Sequence, residues 1–147
     1  MPLVYADTSA LVAYLHPRDT FSAVVDAAVQ RESPDFVYWP FLQFELRHNL
    51  RLLRIDRWGE IAWNALRAAE KTSARLRWKT ELSPEKILDA AEGLSAKQAG
   101  NFDCGSGDYL HVAAARRLQE EVEGFWTCDA AQAKLARADG LSVRLFK

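Results

Sequence analysis

The sequence has few of the residues that mark zinc-binding, disulfide-rich or membrane-spanning proteins. Its 147 residues include two cysteines, Cys104 and Cys128, and neither stands in a CxxC or Cys/His spacing typical of structural zinc sites. We expect free thiols in a reducing compartment, although spacing alone leaves a disulfide between them open. The longest apolar run, residues 36–42, contains Pro40 and is far too short to cross a bilayer. We therefore expect no membrane partner.

The amino terminus also lacks the features of a secretory signal. It reads MPLVYADTSALVAYL, with no basic leader and no small-residue cleavage site. We therefore expect a cytoplasmic protein. Hydrophobic residues make up 49% and charged residues 27% of the chain, enough for a core and a soluble surface. Its length is that of one compact domain, so we expect a single domain over residues 1–147.

Short apolar runs alternate with helical patterns along the chain. The predicted strands are residues 3–6, 36–38, 124–127 and 141–146. Helices are predicted over residues 8–16, 20–31, 40–53, 59–77, 83–98, 106–120 and 129–138. Strands that alternate with helices of this length favour a parallel sheet covered on both faces. The predicted class is α/β, a three-layer fold with a central, mostly parallel sheet flanked by helices.

Four acidic residues fall where such a sheet would place a polar site. They are Asp7, Glu45, Asp108 and Asp129. Asp7 and Asp129 each follow a predicted strand, and polar sites in open α/β sheets lie outside the carboxyl ends of the strands. Asp108 lies at the start of a predicted helix, and Glu45 lies one turn into the helix after the second strand. The pattern predicts that these four side chains converge.

Converging carboxylates indicate a divalent cation. They repel one another unless a cation lies between them, and sites rich in hard oxygen ligands select Mg²⁺ or Mn²⁺. Such an ion neutralises a phosphodiester and activates a bound water for hydrolysis. Spacing alone does not decide, because the chain has 20 acidic residues and an aspartate after a strand is commonly a cap. For Asp7 and Asp108 the capping interpretation stays open beside the metal one.

Four segments together resemble a PIN domain, the fold of a large group of ribonucleases that includes the VapC-type toxins of toxin–antitoxin pairs. They follow the family's order over nearly the whole chain: VYADTSALVAYL, FELRHNL, SGDYLHVAAA and FWTCDAAQAKLARADGLSV. The resemblance implies a metal-dependent endoribonuclease that acts on RNA and pairs with a cognate antitoxin. It also implies that Asp7, Glu45, Asp108 and Asp129 are the metal-binding and catalytic acids.

The resemblance further implies hydroxyl groups beside these acids. Thr8 or Ser9, together with Thr127, would lie at the site, and Ser9 and Thr127 would hydrogen-bond the carboxylates or their waters. Helix capping explains Thr8 and Ser9 equally well. The loop before Asp108 departs from the family pattern by an extra acid, Asp103. We interpret Asp103 as a solvated loop residue, with an accessory or alternative ligand role left open.

Two histidines and an asparagine follow these acids at helical spacing. His111 lies three residues after Asp108, and His48 three after Glu45, so each shares a helix face with its acid. A general base or a phosphate contact is one interpretation, but we favour a hydrogen bond to the protein's own backbone. Asn49 either orients Glu45 or caps another buried polar contact.

The remaining surface features each allow two interpretations. The arginines after Pro40 either track an RNA backbone or form a solvated helix face; they are Arg47, Arg51, Arg54 and Arg57. The apolar residues between positions 59 and 98 suit a homodimer interface, an antitoxin-docking groove or ordinary packing. Three rival functions also stay open: a non-catalytic PIN-like module that binds RNA or protein, a PIN nuclease of RNA processing, and a receiver-like α/β module.

Overall fold

The computed structural model describes residues 2–147, whose strands form one parallel sheet in the order β3-β2-β1-β4-β5. The strands are β1 (Leu3–Ala6), β2 (Asp35–Tyr38), β3 (Leu76–Trp78), β4 (Phe125–Thr127) and β5 (Val143–Leu145). The helices are α1 (Thr8–Leu15), α2 (Ser22–Glu32), α3 (Pro40–Leu52), α4 (Arg57–Thr72), α5 (Pro84–Gln98), α6 (Ser106–Arg117) and α7 (Ala130–Ala138). The predicted α/β class with a parallel sheet is confirmed.

The helices divide between the two faces of the sheet. Right-handed crossovers from β1 through β2 to β3 put α1–α4 on one face, and the return crossover to β4 and β5 puts α5–α7 on the other. The main contacts between helices divide in the same way. The core between these layers is aromatic, and its largest buried side chains include Tyr5, Phe36, Trp39 and Phe125. Trp126 is buried as well.

The strand order creates a switch point at β1. The chain moves from β1 to β2 on one side and later returns to place β4 on the other, with Tyr5 opposite Phe125 and Ala6 opposite Trp126. A crevice forms outside the carboxyl ends of neighbouring strands at such a point. Asp7 follows β1 directly, and Asp129 follows β4 after one residue. The topology therefore brings together two acids that are far apart in sequence.

The helix predicted over residues 59–77 is wrong at its end. Helix α4 stops at Thr72, and Ser73 and Arg75 take positive φ angles of 57° and 60° that reverse the chain. Leu76–Trp78 then pairs with β2 as an edge strand. The apolar surface assigned to a helix at Leu76 therefore belongs to the sheet.

In the part of the chain that the structure describes, no helix combines the length and the apolar character needed to cross a membrane.

Candidate active site

Asp7 is a buried carboxylate held by three hydrogen-bond donors. Its Oδ1 accepts from the Ser9 hydroxyl at 2.6 Å and from the Ala10 backbone N–H at 2.9 Å, while Oδ2 accepts from the Thr127 hydroxyl at 2.5 Å. The side chain is 1% exposed. Burial raises the pKa of Asp7 above its usual value, although these hydrogen bonds act against the rise. The hydrogen bonds expected of Ser9 and Thr127 are present.

Asp129 and Asp108 both use one oxygen for helix capping. Asp129 begins α7, and its Oδ1 accepts from the backbone N–H groups of Ala131 at 2.9 Å and Gln132 at 3.2 Å. Asp108 lies in the first turn of α6, and its Oδ2 accepts from the Gly105 N–H at 2.9 Å. Among residues 2–147 no donor takes up the second oxygen of Asp129. The capping interpretation is thus correct for Asp108 and for Asp7, and Asp129, which also caps a helix, keeps its second oxygen available for a ligand.

Glu45 reaches the same edge from α3. Its Oε1 accepts from the Thr8 hydroxyl and lies 2.6 Å from Nε2 of His111. Burial raises the pKa of Glu45, but the hydrogen bonds from His111 and Thr8 outweigh it, so the pKa lies below its usual value. The Thr8 hydroxyl therefore stabilises the Glu45 carboxylate. The N-cap of α1 is Asp7, so the capping interpretation of Thr8 and Ser9 is wrong.

Gln132 connects Asp7 with Asp108. Its side chain is 2% exposed, and with the amide oriented to donate, its nitrogen lies 2.5 Å from Asp7 Oδ2 and 3.3 Å from Asp108 Oδ1. The sequence analysis missed this residue. Its position three residues after Asp129, on the same face of α7, is the signal that indicates it.

Electrostatic repulsion and one amide contact link the four acids. Burial raises the pKa of Asp108, and the carboxylates of Asp129 and Glu45 raise it further by repulsion. The side-chain amide of Gln132 contacts both Asp108 and Asp7. The structure therefore brings Asp7, Glu45, Asp108 and Asp129 to one edge of the sheet.

The donor set suits a hard divalent cation. Carboxylate oxygens are among the groups that Mg²⁺ and Mn²⁺ prefer. Within residues 2–147, however, no three His, Cys, Asp or Glu side chains come close enough to hold one ion by direct ligation. Mg²⁺ is commonly bound through one or two carboxylates and several waters, and such binding needs no group of three protein ligands.

The histidines differ from the prediction. His111 is 2% exposed and contacts the Tyr5 hydroxyl and the Glu45 carboxylate, so the expected bond to the backbone is wrong. His48 is exposed and stacks on Phe44. Asn49 donates to the backbone carbonyl of Glu45 at 2.9 Å.

The other sequence candidates are Asp103, the two cysteines and the four arginines. Asp103 is exposed in the loop before α6, and Cys104 and Cys128 are free thiols. Arg47 and Arg54 pair with Glu70 and Glu60. The other two arginines of that set, Arg51 and Arg57, lie over tryptophan rings. These contacts favour the interpretation of a solvated helix face.

The fold is that of PIN-domain proteins, as the sequence resemblance implied. The chain is similar to VapC20 of Mycobacterium tuberculosis, a sarcin–ricin loop cleaving toxin, with a TM-score of 0.67 and 17% identity over 94% of this chain and 95% of that one. VapBC2 from Rickettsia felis, bound to a promoter DNA fragment, gives a TM-score of 0.64 and 12% identity over 99% of both chains. FitAcB from Neisseria gonorrhoeae gives 0.58 and 16% over 95% of both.

At these identities the likeness establishes the fold alone. No protein-family model matches the sequence. No curated protein sequence matches it either.

Proposed function

We propose that this protein is a metal-dependent endoribonuclease and the toxin of a type II toxin–antitoxin pair. The observation that carries the proposal is the meeting of acids from four separate segments at the switch point of a parallel sheet, where one buried amide joins Asp7 and Asp108. Neighbouring carboxylates repel one another, and such repulsion is tolerated where a cation, and with it a phosphodiester, is to be bound. VapC20, a toxin that cleaves the sarcin–ricin loop, has the same fold and supports the choice of RNA as substrate.

The four acids share one role in this proposal, and neighbouring side chains support them. The ion would be held by Asp7, Glu45, Asp108 and Asp129, directly or through water. When bound, it supplies neutralisation of the phosphodiester charge and an activated water, so that cleavage leaves 5′-phosphate and 3′-hydroxyl ends. The hydroxyls of Ser9 and Thr127 keep Asp7 fixed. The oxygens of Glu45 and Asp129 that face no protein donor are available to the ion or its waters.

The proposal includes a cognate antitoxin and a homodimer. The similar VapBC2 structure supports a protein partner. Large apolar side chains stand exposed on and beyond α3, with Phe44 66% and Ile55 85% exposed, and contact with a protein would remove them from water.

A nuclease assay with a growth assay tests the proposal. Purified protein should cleave RNA with Mg²⁺ or Mn²⁺ and lose this activity in EDTA. Expression should arrest growth, and Asp7→Asn should abolish both effects. Asp103→Asn is the matched control because Asp103 is an exposed loop residue, and it should keep full activity. Full cleavage by Asp7→Asn, or in EDTA, would refute the proposal. RNA binding without cleavage would favour the non-catalytic module.

A further inference from the structure

A buried line of polar side chains connects the core to the candidate site. The Trp39 indole N–H donates to the Tyr5 hydroxyl at 2.9 Å, and the Tyr5 hydroxyl lies 2.9 Å from Nδ1 of His111. On the other side of the ring, Nε2 lies 2.6 Å from Oε1 of Glu45. Trp39, Tyr5 and His111 are between 0% and 2% exposed, so they satisfy their polar atoms from one another.

The donors and acceptors in this line determine which nitrogen of His111 carries the proton. An indole N–H only donates, so the Tyr5 oxygen accepts from Trp39 and its own proton is free for Nδ1 of His111. Nδ1 is then an acceptor, and Nε2 carries the hydrogen that faces the Glu45 carboxylate. With a proton on Nδ1, the tyrosine hydroxyl would have no acceptor in this line, a costly state for a buried group.

The arrangement also decides which oxygen of Glu45 faces the site. Oε1 is taken by His111 and by the Thr8 hydroxyl. Oε2 points to the start of α6, where a Cβ on Gly107 would lie 3.0 Å from it. Gly107 precedes Asp108, so the free oxygen of Glu45 is directed to the neighbourhood of the other acids.

We propose that His111 is a positioning residue for Glu45: Tyr5 and Trp39 hold its ring with the proton on Nε2, and the ring turns the Glu45 carboxylate so that Oε2 serves the cation. The inference rests on the proposed function, because it assumes that Glu45 helps to bind the ion. His111 itself is closed to substrate, since it is buried and both nitrogens are engaged. A side chain that orients a ligand in this way commonly contributes 10–100-fold to metal affinity.

The first test is spectroscopic and needs no activity. Nitrogen-15 NMR of the imidazole rings in the metal-free protein should show His111 protonated at Nε2 and unprotonated at Nδ1. Tyr5→Phe removes the donor to Nδ1, so the two neutral forms of the ring should mix in that variant. A wild-type ring protonated at Nδ1 alone would overturn the inference.

The second test measures Mn²⁺ affinity by calorimetry. His111→Leu should weaken binding about tenfold or more, and Tyr5→Phe should weaken it less. His111→Gln keeps an N–H donor near the position of Nε2 and should restore most of the affinity. His48→Gln is the matched control because His48 is exposed and stacks only on Phe44, so its affinity should equal that of the wild type. Unchanged affinity in His111→Leu would overturn the inference.

The two readouts separate this inference from the proposed function. If wild-type protein binds no Mn²⁺, the proposed metal site fails, and the metal part of the inference fails with it. The NMR result still decides whether Tyr5 fixes the ring. If His111→Leu does not fold, Tyr5→Phe takes its place, and wild-type affinity in Tyr5→Phe would overturn the role of the buried line.

Discussion

The hydroxyl of Thr127 lies 2.5 Å from Oδ2 of Asp7 and joins the carboxyl ends of β4 and β1. Its oxygen also accepts from the Asp129 backbone N–H at 3.0 Å, so its single proton goes to the Asp7 carboxylate. Even with this donor and two others, burial keeps the pKa of Asp7 raised. The fold therefore disfavours the charged form of Asp7, and perturbed pKa values of this kind cluster at functional sites.

Asp7→Asn should raise the melting temperature at pH 7.5 while abolishing nuclease activity. An amide has no charge to bury, and it can still accept from Ser9 and Ala10 as the carboxylate does. Thermal unfolding and the RNA-cleavage assay measure the two effects. Greater stability would show that the loss of activity is not a loss of folding.

The pH dependence of this difference has a definite sign. A carboxyl with a raised folded-state pKa contributes stability below its unfolded pKa, and that contribution is lost as pH rises through the folded value. The stability advantage of Asp7→Asn over wild type should therefore shrink when the pH is lowered into that window. An advantage that is constant from pH 4 to pH 8 would contradict the burial of a charged Asp7.

Gln132→Glu should destabilise the metal-free protein at neutral pH by roughly 2 kcal/mol or more, because it buries a third negative charge between Asp7 and Asp108. Lowering the pH or adding Mn²⁺ should restore much of the melting temperature, since either removes the repulsion. Gln132→Met, which adds no charge, is the control and should respond much less. Equal responses of the two variants would place Gln132 away from the acids.

The two thiols should react slowly in the folded protein. Burial, with a smaller contribution from nearby carboxylates, raises the pKa of Cys104 to about 11 and that of Cys128 to about 12. Because the thiolate is the reactive form, iodoacetamide at pH 8 should modify Cys104 roughly 100-fold and Cys128 roughly 1,000-fold more slowly than in the unfolded chain. Mass spectrometry of timed samples with and without denaturant measures this. Equal rates would show that the thiols are more exposed than described.

Replacing glycine by alanine should change the stability of the fold in opposite directions at two positions. A Cβ on Gly59 would overlap the backbone carbonyl of Leu53 where α4 packs against the end of α3, so Gly59→Ala should cost about 3 kcal/mol. A Cβ added to Gly93, inside α5, would meet no other atom within 4 Å, so Gly93→Ala should stabilise the folded protein by about 0.5–1 kcal/mol. Urea unfolding compares them, and a mild effect at Gly59 would contradict the close approach of these helices.

Periodicity predicted most of this fold because its helices and inner strands are regular. The helix at Pro84–Gln98 and the strand at Phe125–Thr127 lie within one residue of their predicted bounds. Strand β3 could not be predicted in this way. It has three residues, lies at the sheet edge and is largely exposed, so its pairing with β2 and not its sequence pattern defines it.

The site was predicted only in part for a related reason. Asp7 and Asp129 could be located because strand ends lie at a known edge of the sheet. The contacts of His111 with Tyr5 and Glu45 join residues 106 and 66 positions apart. Helical spacing describes one helix face and carries no information about what another segment places against it.

The pairing of β1 with β4 has a consequence for the order of events on the ribosome. Asp7 is made among the first residues of this sequence, but its donor Thr127 is made 120 positions later. Until β4 has emerged and inserted beside β1, Asp7 lacks both this donor and the neighbouring Asp129. A nascent chain therefore cannot assemble the proposed site before the segment that carries Thr127 and Asp129 has left the ribosome.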